Sequence, residues 1–347
     1  MNKWKFEPAV QAFPRYREEW DLLNRAQGNH ILLDSRFVLP LLRHFGTAKT
    51  MLGIWRNGQM RGMVLLDSIT PGLLQTFQPS QAPLGLFLLS TGAAVEEQLT
   101  GLIQSLPPYV LGIAILQQDS EFSIMARADC RWIQRIEYIQ TSRISIRGSF
   151  EEYWQGRSQS FVADLARRNR RMEREKLAVE FDCINDPTKV EECMKEYGRM
   201  ESTGWKGREG TSVSSDNSQG RFYLDVLRSF CERGEGRIYR LTINGKTVAC
   251  DLSLLRNGIC IDLKTAFDEQ YKMYSVGTLL MMHRLTHTFS GNTIKSVEFY
   301  GRANDWSLKW ASEIRPIHHY NVYRFGWLLK THSYLRCRTL DHLSGEG

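Results

Sequence analysis

The chain has 347 residues, 42% of them apolar and 11% aromatic, which excludes a disordered polymer and exceeds what one hydrophobic core usually organises, so two domains are expected. Its 45 Lys and Arg against 38 Asp and Glu leave a net charge of +7, which suits an anionic partner: nucleic acid, a membrane surface or a phosphate-bearing cofactor. The longest apolar stretches, Ile31 to Leu33 and Phe37 to Leu42, are interrupted by Asp34, Arg36 and Arg43 short of the ~20 residues of a membrane span, and the start Met1-Asn2-Lys3-Trp4-Lys5-Phe6-Glu7 lacks a secretory signal's apolar segment, so no transmembrane segment and a cytoplasmic location are expected.

From the N-terminus, spacing near 3.6 predicts helices over 16–25 and 34–45. Met51 to Leu66 then reads as strand, Asn57-Gly58, strand. Asn-Gly between apolar runs predicts a hairpin with a type I′ turn, which needs positive φ at both central residues. An irregular stretch containing Pro71, Pro79, Pro83 and Gly85 leads to a helix over 95–106 and to strands near Val110, near Ile136 and over 138–146. Gly148-Ser149 opens a new helical stretch, so the boundary is placed there, giving domains 1–147 and 148–347. In the second domain, helices are predicted over 160–176, 187–203 and 220–233. Ile238 to Ser253 repeats the pattern strand, Asn244-Gly245, strand, and after Asn257-Gly258 a third strand runs to Phe267. A helix over 277–289, a strand over 296–300, a short helix over 305–312 and a strand over 318–325 follow. The order helices, meander, helix, strand occurs in both halves and is read as an internal repeat. It predicts an α/β (α+β) chain of two tandem units, each a mixed, mostly antiparallel twisted sheet flanked by helices.

Cys130, Cys183, Cys193, Cys231, Cys250, Cys260 and Cys337 contain no C-x-x-C pair and read as reduced, mostly buried thiols. His283 and His287 lie one helical turn apart without the acidic residue of an H-E-x-x-H site, so no metal is expected. The helix over 160–176 carries Arg167, Arg168, Arg170, Arg171 and Arg174, which read as a solvated face or as phosphate contacts. Trp205-Lys206-Gly207 opens a Gly/Ser-rich loop long enough for a lid or binding loop; Trp205 reads as packing anchor or substrate contact, and Lys206 as facing an anionic donor or acceptor. Along 259–267, alternation puts Cys260, Asp262 and Lys264 on one face. The two charges read as a solvated edge pair or as a cleft floor, with Asp262 a base and Lys264 an acceptor-positioning cation. Lys272-Met-Tyr-Ser275-Val276-Gly277-Thr278 leads into a helix, where free backbone N–H groups and the positive dipole end suit a pyrophosphate; the plain alternative is a helix capped by Ser275.

With Lys264, Tyr300-Gly301 and Lys309-Trp310, these motifs resemble GNAT-superfamily acyltransferases of the CelD cellulose-biosynthesis group, which is similar to the Fem peptidyltransferases. The resemblance covers 149–325; residues 1–147 share only the meander. The superfamily's pyrophosphate loop has Arg or Gln, then Gly three residues on, then Gly or Ala two further on. Lys272, Ser275 and Gly277 stand at those places, two of them departing from the pattern, and Ser275 suits the first glycine's place if its φ is negative.

The resemblance implies acyl-CoA (acetyl-CoA) as co-substrate, no metal, no covalent enzyme intermediate, and transfer to an amine of a small-molecule, sugar or polysaccharide-precursor acceptor; the CelD group suggests exopolysaccharide biosynthesis. It implies donor contacts at Lys272, Ser275, Val276, Gly277 and Thr278, and catalytic roles for Asp262, Lys264 and Tyr300. Tyr300 would protonate the departing thiolate; core packing with Phe299 is its other reading. Substrate contacts are expected at Trp205, Lys206, Arg167, Arg171 and Lys309. The first half, whose Gly72 to Gly85 stretch offers no glycine at a helix start, is expected to be a degenerate copy without a cofactor site. Two other readings stand beside this one. A Fem-like aminoacyltransferase would take aminoacyl-tRNA as donor, and a non-catalytic protein of the same fold would bind nucleic acid or a lipid surface.

Overall fold

The computed structural model describes residues 4–90, 94–127, 131–203 and 217–328. By compactness the chain divides into one unit of Met1–Ile139 with Pro316–Gly347 and a second of Gln140–Arg315.

The first unit runs β1 (Lys5–Pro8), α1 (Ala9–Ala26), α2 (Ser35–Phe45), β2 (Met51–Asn57), β3 (Gln59–Thr70), β4 (Leu73–Thr76), β5 (Phe87–Leu89), α3 (Val95–Ser105), β6 (Gly112–Asp119) and the first part of β7 (Ile133–Ser145). The Asp34 side chain accepts the Arg36 N–H and caps α2, so the helix starts where a short polar acceptor satisfies an orphan donor. Strands β1 to β4 follow one another antiparallel, and β4 pairs parallel with β6. Strand β5 prolongs β4 along β3. The chain between β4 and β5 lies against the later part of β6: the Gly85 N–H donates to the Gln117 carbonyl, and the Gln78 amide to the Gln117 side chain. The core is built from Trp4, Val64, Phe87, Leu99, Ile113 and Val322 among others.

The second unit takes the end of β7 and continues with α4 (Phe150–Gln155), α5 (Gln159–Arg174), β8 (Val179–Ile184), α6 (Val190–Thr203), α7 (Ser218–Cys231), β9 (Gly236–Ile243), β10 (Lys246–Arg256), β11 (Ile259–Phe267), α8 (Val276–Ser290), β12 (Ser296–Glu298), α9 (Asp305–Trp310) and the start of β13 (Glu313–Tyr323). Its strands lie in the order β7-β12-β11-β10-β9-β8, with β11 and β12 parallel and the other pairs antiparallel. Tyr239, Leu241, Val276, Leu280, Val297 and Trp310 are among its core residues.

Both later turns are type I′: φ is 51° and 75° at Asn244 and Gly245, and 54° and 80° at Asn257 and Gly258. The first Asn-Gly differs. Only Gly58, at 70°, is positive, and a register shift between Trp55 and Arg56 re-sets the pairing, so the predicted I′ turn does not form there.

The repeat reaches the outermost strands. In sheet position β13 stands to β6 as β7 stands to β12, antiparallel in each case. The strand that completes each sheet therefore comes from the other half of the sequence, and the division by compactness falls inside β7 and inside β13 rather than at the 147/148 turn.

The described cysteines, Cys183, Cys193, Cys231, Cys250 and Cys260, are free thiols. Burial pushes Cys193 and Cys231 up to about 11, so both are inert at neutral pH. His283 stacks on Phe181 at 6.0 Å and burial lowers its pKa, which makes it a neutral packing residue.

Candidate active site

Strand β11 carries the predicted charges, and its pairing with β10 is irregular. Leu252 faces Lys264 and Ser253 faces Asp262, leaving Leu263 as an extra residue. Such a bulge reverses the alternation beyond it. Asp262 and Lys264 therefore lie on opposite faces, not on the single face that strict alternation predicts.

Asp262 lies toward α8, its Oδ1 2.6 Å from Arg284 Nη2 and accepting from Ser253 Oγ at 2.9 Å. The Arg284 side chain is wholly buried, 3.4 Å from Asp251 Oδ2 and 4.3 Å from the Tyr239 ring centre. One guanidinium thus serves two carboxylates. Burial pushes Asp251 up to about 6, Arg284 opposing and the Asp262 charge adding to the rise. Asp262 is held in a buried ion pair, so the role of base expected for it does not fit its surroundings.

Lys264 lies toward α6 and α7. Its Nζ is 3.2 Å from Glu201 Oε1 and 3.4 Å from Gln219 Oε1, and it lies 5.9 Å from the Tyr223 ring centre. Glu201 is 5% exposed and accepts from the Tyr197 hydroxyl at 3.3 Å. Burial, reinforced by the Glu201 charge, raises the pKa of both Tyr197 and Tyr223, so both phenols stay protonated. Sequence reasoning gave Glu201 no role. The available signal was its spacing of four from Tyr197 on α6, which places the two on one helical face.

Pairing of β11 with β12 stops at Ile261 and Glu298, while β11 continues to Phe267. Just past β12, Tyr300 is 5% exposed with φ of 51°, a left-handed conformation unusual for a bulky residue and common where function over-determines the backbone. The Arg315 guanidinium lies 5.2 Å from its ring centre, and Phe299 packs edge-on to Trp306 at 5.9 Å. Glu298 is clamped between Arg143 and Arg315, yet burial still raises its pKa.

Beyond β11 a 3-10 turn over Glu269–Tyr274 leads to Ser275, whose φ of 52° and ψ of 50° are left-handed and whose side chain makes no capping bond. The condition of a negative φ, under which Ser275 would suit the first glycine's place, is not met, and the reading of Ser275 as the cap is overturned: the turn out of the 3-10 segment needs a left-handed residue. The N–H groups of Val276, Gly277 and Thr278, which a helix leaves without internal partners, are therefore uncapped by that side chain. At Gly277 an added Cβ would meet only Phe267 Cδ1, at 3.7 Å, an ordinary contact, so packing does not require a glycine there.

The basic helix α5 packs on this turn. Arg168 Nη1 donates to the Met273 carbonyl at 2.7 Å, and Arg171 lies 5.4 Å from the Tyr274 ring centre while its Nε is 2.7 Å from Glu175. Arg167 is more exposed and pairs with Asp164. Lys272 is exposed, and Lys309 lies 5.8 Å from the Phe161 ring centre. Trp205 and Lys206 lie outside the described residues. The structure thus gathers Lys272, Ser275 to Thr278 and Arg171 around one helix end, adds Arg168, and separates Asp262 from Lys264.

A meander, a strand pair that parts, and a helix whose uncapped end follows the parting strand define a GNAT-type fold. Residues 159–307 match the family model of the acetyltransferase (GNAT) domain, so the second unit carries a GNAT acetyltransferase domain and the protein is an acyltransferase. No curated protein matches the chain in sequence. Among solved structures, the C-terminal domain of a putative lysylphosphatidylglycerol synthetase from Agrobacterium fabrum superposes with a TM-score of 0.55 at 14% identity, over 88% of this chain and 91% of that one. A conserved protein from Bacteroides thetaiotaomicron gives 0.55 at 12% over 93% and 99%, and FemX 0.55 at 9% over 91% and 97%. At such identities the likeness is one of fold.

Proposed function

We propose that the second unit transfers an acyl group from acyl-CoA, acetyl-CoA being the simplest, to an amine of a small-molecule, sugar or polysaccharide-precursor acceptor, with the exopolysaccharide setting of the CelD group as its context. The observation that carries this reading is the uncapped N-terminus of α8 directly after a strand whose pairing with β12 ends at Ile261. The N–H groups of Val276 to Thr278 and the helix dipole suit the CoA pyrophosphate, with Lys272, Arg168 and Arg171 as neighbouring cations. The β11 edge beyond Ile261 suits the pantetheine amides, which would add like a strand, and one of its N–H groups would polarise the thioester carbonyl.

The acceptor nitrogen attacks that carbonyl, forming the C–N bond; the C–S bond then breaks. The amine proton passes to water while the Lys264–Glu201 pair positions the acceptor nitrogen, and the departing thiolate takes the Tyr300 phenol proton, which solvent restores. Trp205, Lys206, Arg167 and Lys309 remain acceptor contacts in this reading. The left-handed Ser275 at the first glycine's place and the arginines of α5 favour a second reading, a Fem-like aminoacyl-tRNA donor. Calorimetric titration with acetyl-CoA, a longer acyl-CoA and aminoacyl-tRNA separates the two. Under the first reading Gly277→Val loses acyl-CoA affinity at least ~10-fold, about 1.4 kcal/mol, with an unchanged melt, because a bulky side chain blocks backbone approach. Glu201→Gln, which leaves Lys264 without its carboxylate partner and the acceptor misplaced, binds donor normally but turns over ~100-fold more slowly. Normal acyl-CoA binding by Gly277→Val would discard the pyrophosphate assignment.

A further inference from the structure

Three of the chain's nine tryptophans line one pocket of the first unit that the acyl-transfer reading does not use. Its volume is about 440 Å³, within the range of small-molecule sites. Trp4 stands just before β1, Trp55 on β2 and Trp132 just before β7, and all three pack on the core of this unit. The register that sets Lys5 opposite Ile54 brings Trp4 beside Trp55, and the two rings stack with centres 6.2 Å and planes 24° apart. The Trp4 indole N–H donates to the Gln98 carbonyl at 3.1 Å and its backbone N–H to Ser105 Oγ at 3.0 Å, which fixes that ring against α3. Trp55 and Trp132 are half-buried, so indole surface stays open to a ligand.

The rest of the lining comes from α3, and its charged members are Glu96 and Glu97; no Lys or Arg stands among the described residues of the lining. In a chain of net charge +7 this pocket therefore has the opposite sign from the whole. Both acidic residues lie in the first turn of α3, where they also suit the helix dipole. That role needs no aromatic neighbour, and it leaves the three indoles beside them unexplained.

The face of an indole attracts a cation through the ring quadrupole, more strongly than the face of tyrosine or phenylalanine, and most when the cation has shed its water. Rings already held by packing lose little freedom on binding, and the acidic pair supplies the counter-charge. A bare ammonium is a compact, strongly hydrated charge, whereas one that carries alkyl groups gives up less hydration and lays apolar surface on the rings. We infer that this pocket binds a small alkylated ammonium cation of the choline type, its alkyl groups against Trp55 and Trp132 and its charge beside Glu96 and Glu97.

The test is calorimetric titration of the full chain with choline, with 3,3-dimethyl-1-butanol, which is its uncharged carbon isostere, and with ethanolamine, which carries a bare ammonium. Choline is expected to bind at one site, ~10-fold or more tightly than either of the other two. Trp55→Ala and Trp132→Ala each lose ~5-fold or more in choline affinity, Trp55→Phe, which keeps an aromatic face, loses less than Trp55→Ala, and Glu97→Gln loses ~3-fold. Cosedimentation with phosphatidylcholine vesicles, competed by free choline, assigns a lipid headgroup as the source of the cation; choline binding without it assigns a free solute. Absence of choline binding, equal binding of the uncharged isostere, or undiminished binding by both Trp55→Ala and Trp132→Ala would each overturn the inference. Should the alanine variants fail to fold, the comparison of choline with its isostere on the wild-type protein still decides it.

Discussion

Arg284 determines what its carboxylate neighbours can do. With no exposed side-chain surface and two partners, it must remain paired, and removing it would leave Asp251 and Asp262 buried without a counter-charge, typically a loss of about 3–5 kcal/mol. One cation shared by two anions also has a pH signature. The folded pKa of Asp251 lies above its ordinary value, at about 6, so the fold favours the protonated acid. The stability this contributes is full below about pH 4 and is lost as pH rises through about 6. Glu298, also raised by burial, acts with the same sign, whereas exposed carboxylates such as Asp164 and Glu191 are lowered by their cations and act oppositely. The clean measurement is therefore a difference. Asp251→Asn should flatten the wild-type decline in unfolding free energy between pH 4 and pH 7 by about 2 kcal/mol. Parallel profiles for the two proteins would show that Asp251 is ionised throughout.

At the scale of elements, the two units treat the gap between parallel strands differently. Strand β11 parts from β12 and leaves an edge, whereas in the first unit the chain between β4 and β5 occupies the corresponding gap. Gly85 shows how tightly: a Cβ there would lie 2.0 Å from the Leu116 carbonyl oxygen. Gly85→Ala should therefore cost about 2–3 kcal/mol, the upper range for overpacking, and a melt within 1 °C of wild type would show that the segment yields easily. The sequence displays the irregularity of this segment in Pro79, Pro83 and Gly85, but not its position. Helices α2 and α8 and the turns at Asn244 and Asn257 were legible because periodicity, caps and Asn-Gly act over a few neighbouring residues. The bulge at Leu263 was not, since nothing local marks which register two apolar strands choose, and that one residue decides whether Asp262 and Lys264 share a face. Glu201 was hidden for a related reason: Lys264, which donates to it, stands 63 residues further along the chain on another element.

For the whole molecule, strand membership counts for more than the order of motifs along the chain. Cutting at the turn near 147/148 gives two fragments that each carry the repeated order of helices, meander, helix and strand. Yet the first retains β7, whose Arg143 to Ser145 pair with β12, and the second retains β13, whose Ile317 to Tyr323 pair with β6. A fragment of residues 148–347 would lose the strand beside β12 and also Arg143, one of the two cations on the buried Glu298. Unpaired strand edges are templates for aggregation, and a buried carboxylate missing a partner costs several kcal/mol. Residues 140–315 are shorter but keep both the end of β7 and Arg143. The expected outcome is that 140–315 is soluble, melts cooperatively and binds acetyl-CoA, whereas 148–347 aggregates unless co-expressed with 1–147, with which it should co-elute as a one-to-one complex in size-exclusion chromatography. A soluble 148–347 fragment with a cooperative melt like that of 140–315 would show that β7 contributes little to the second unit, and the 147/148 turn would then be the working boundary.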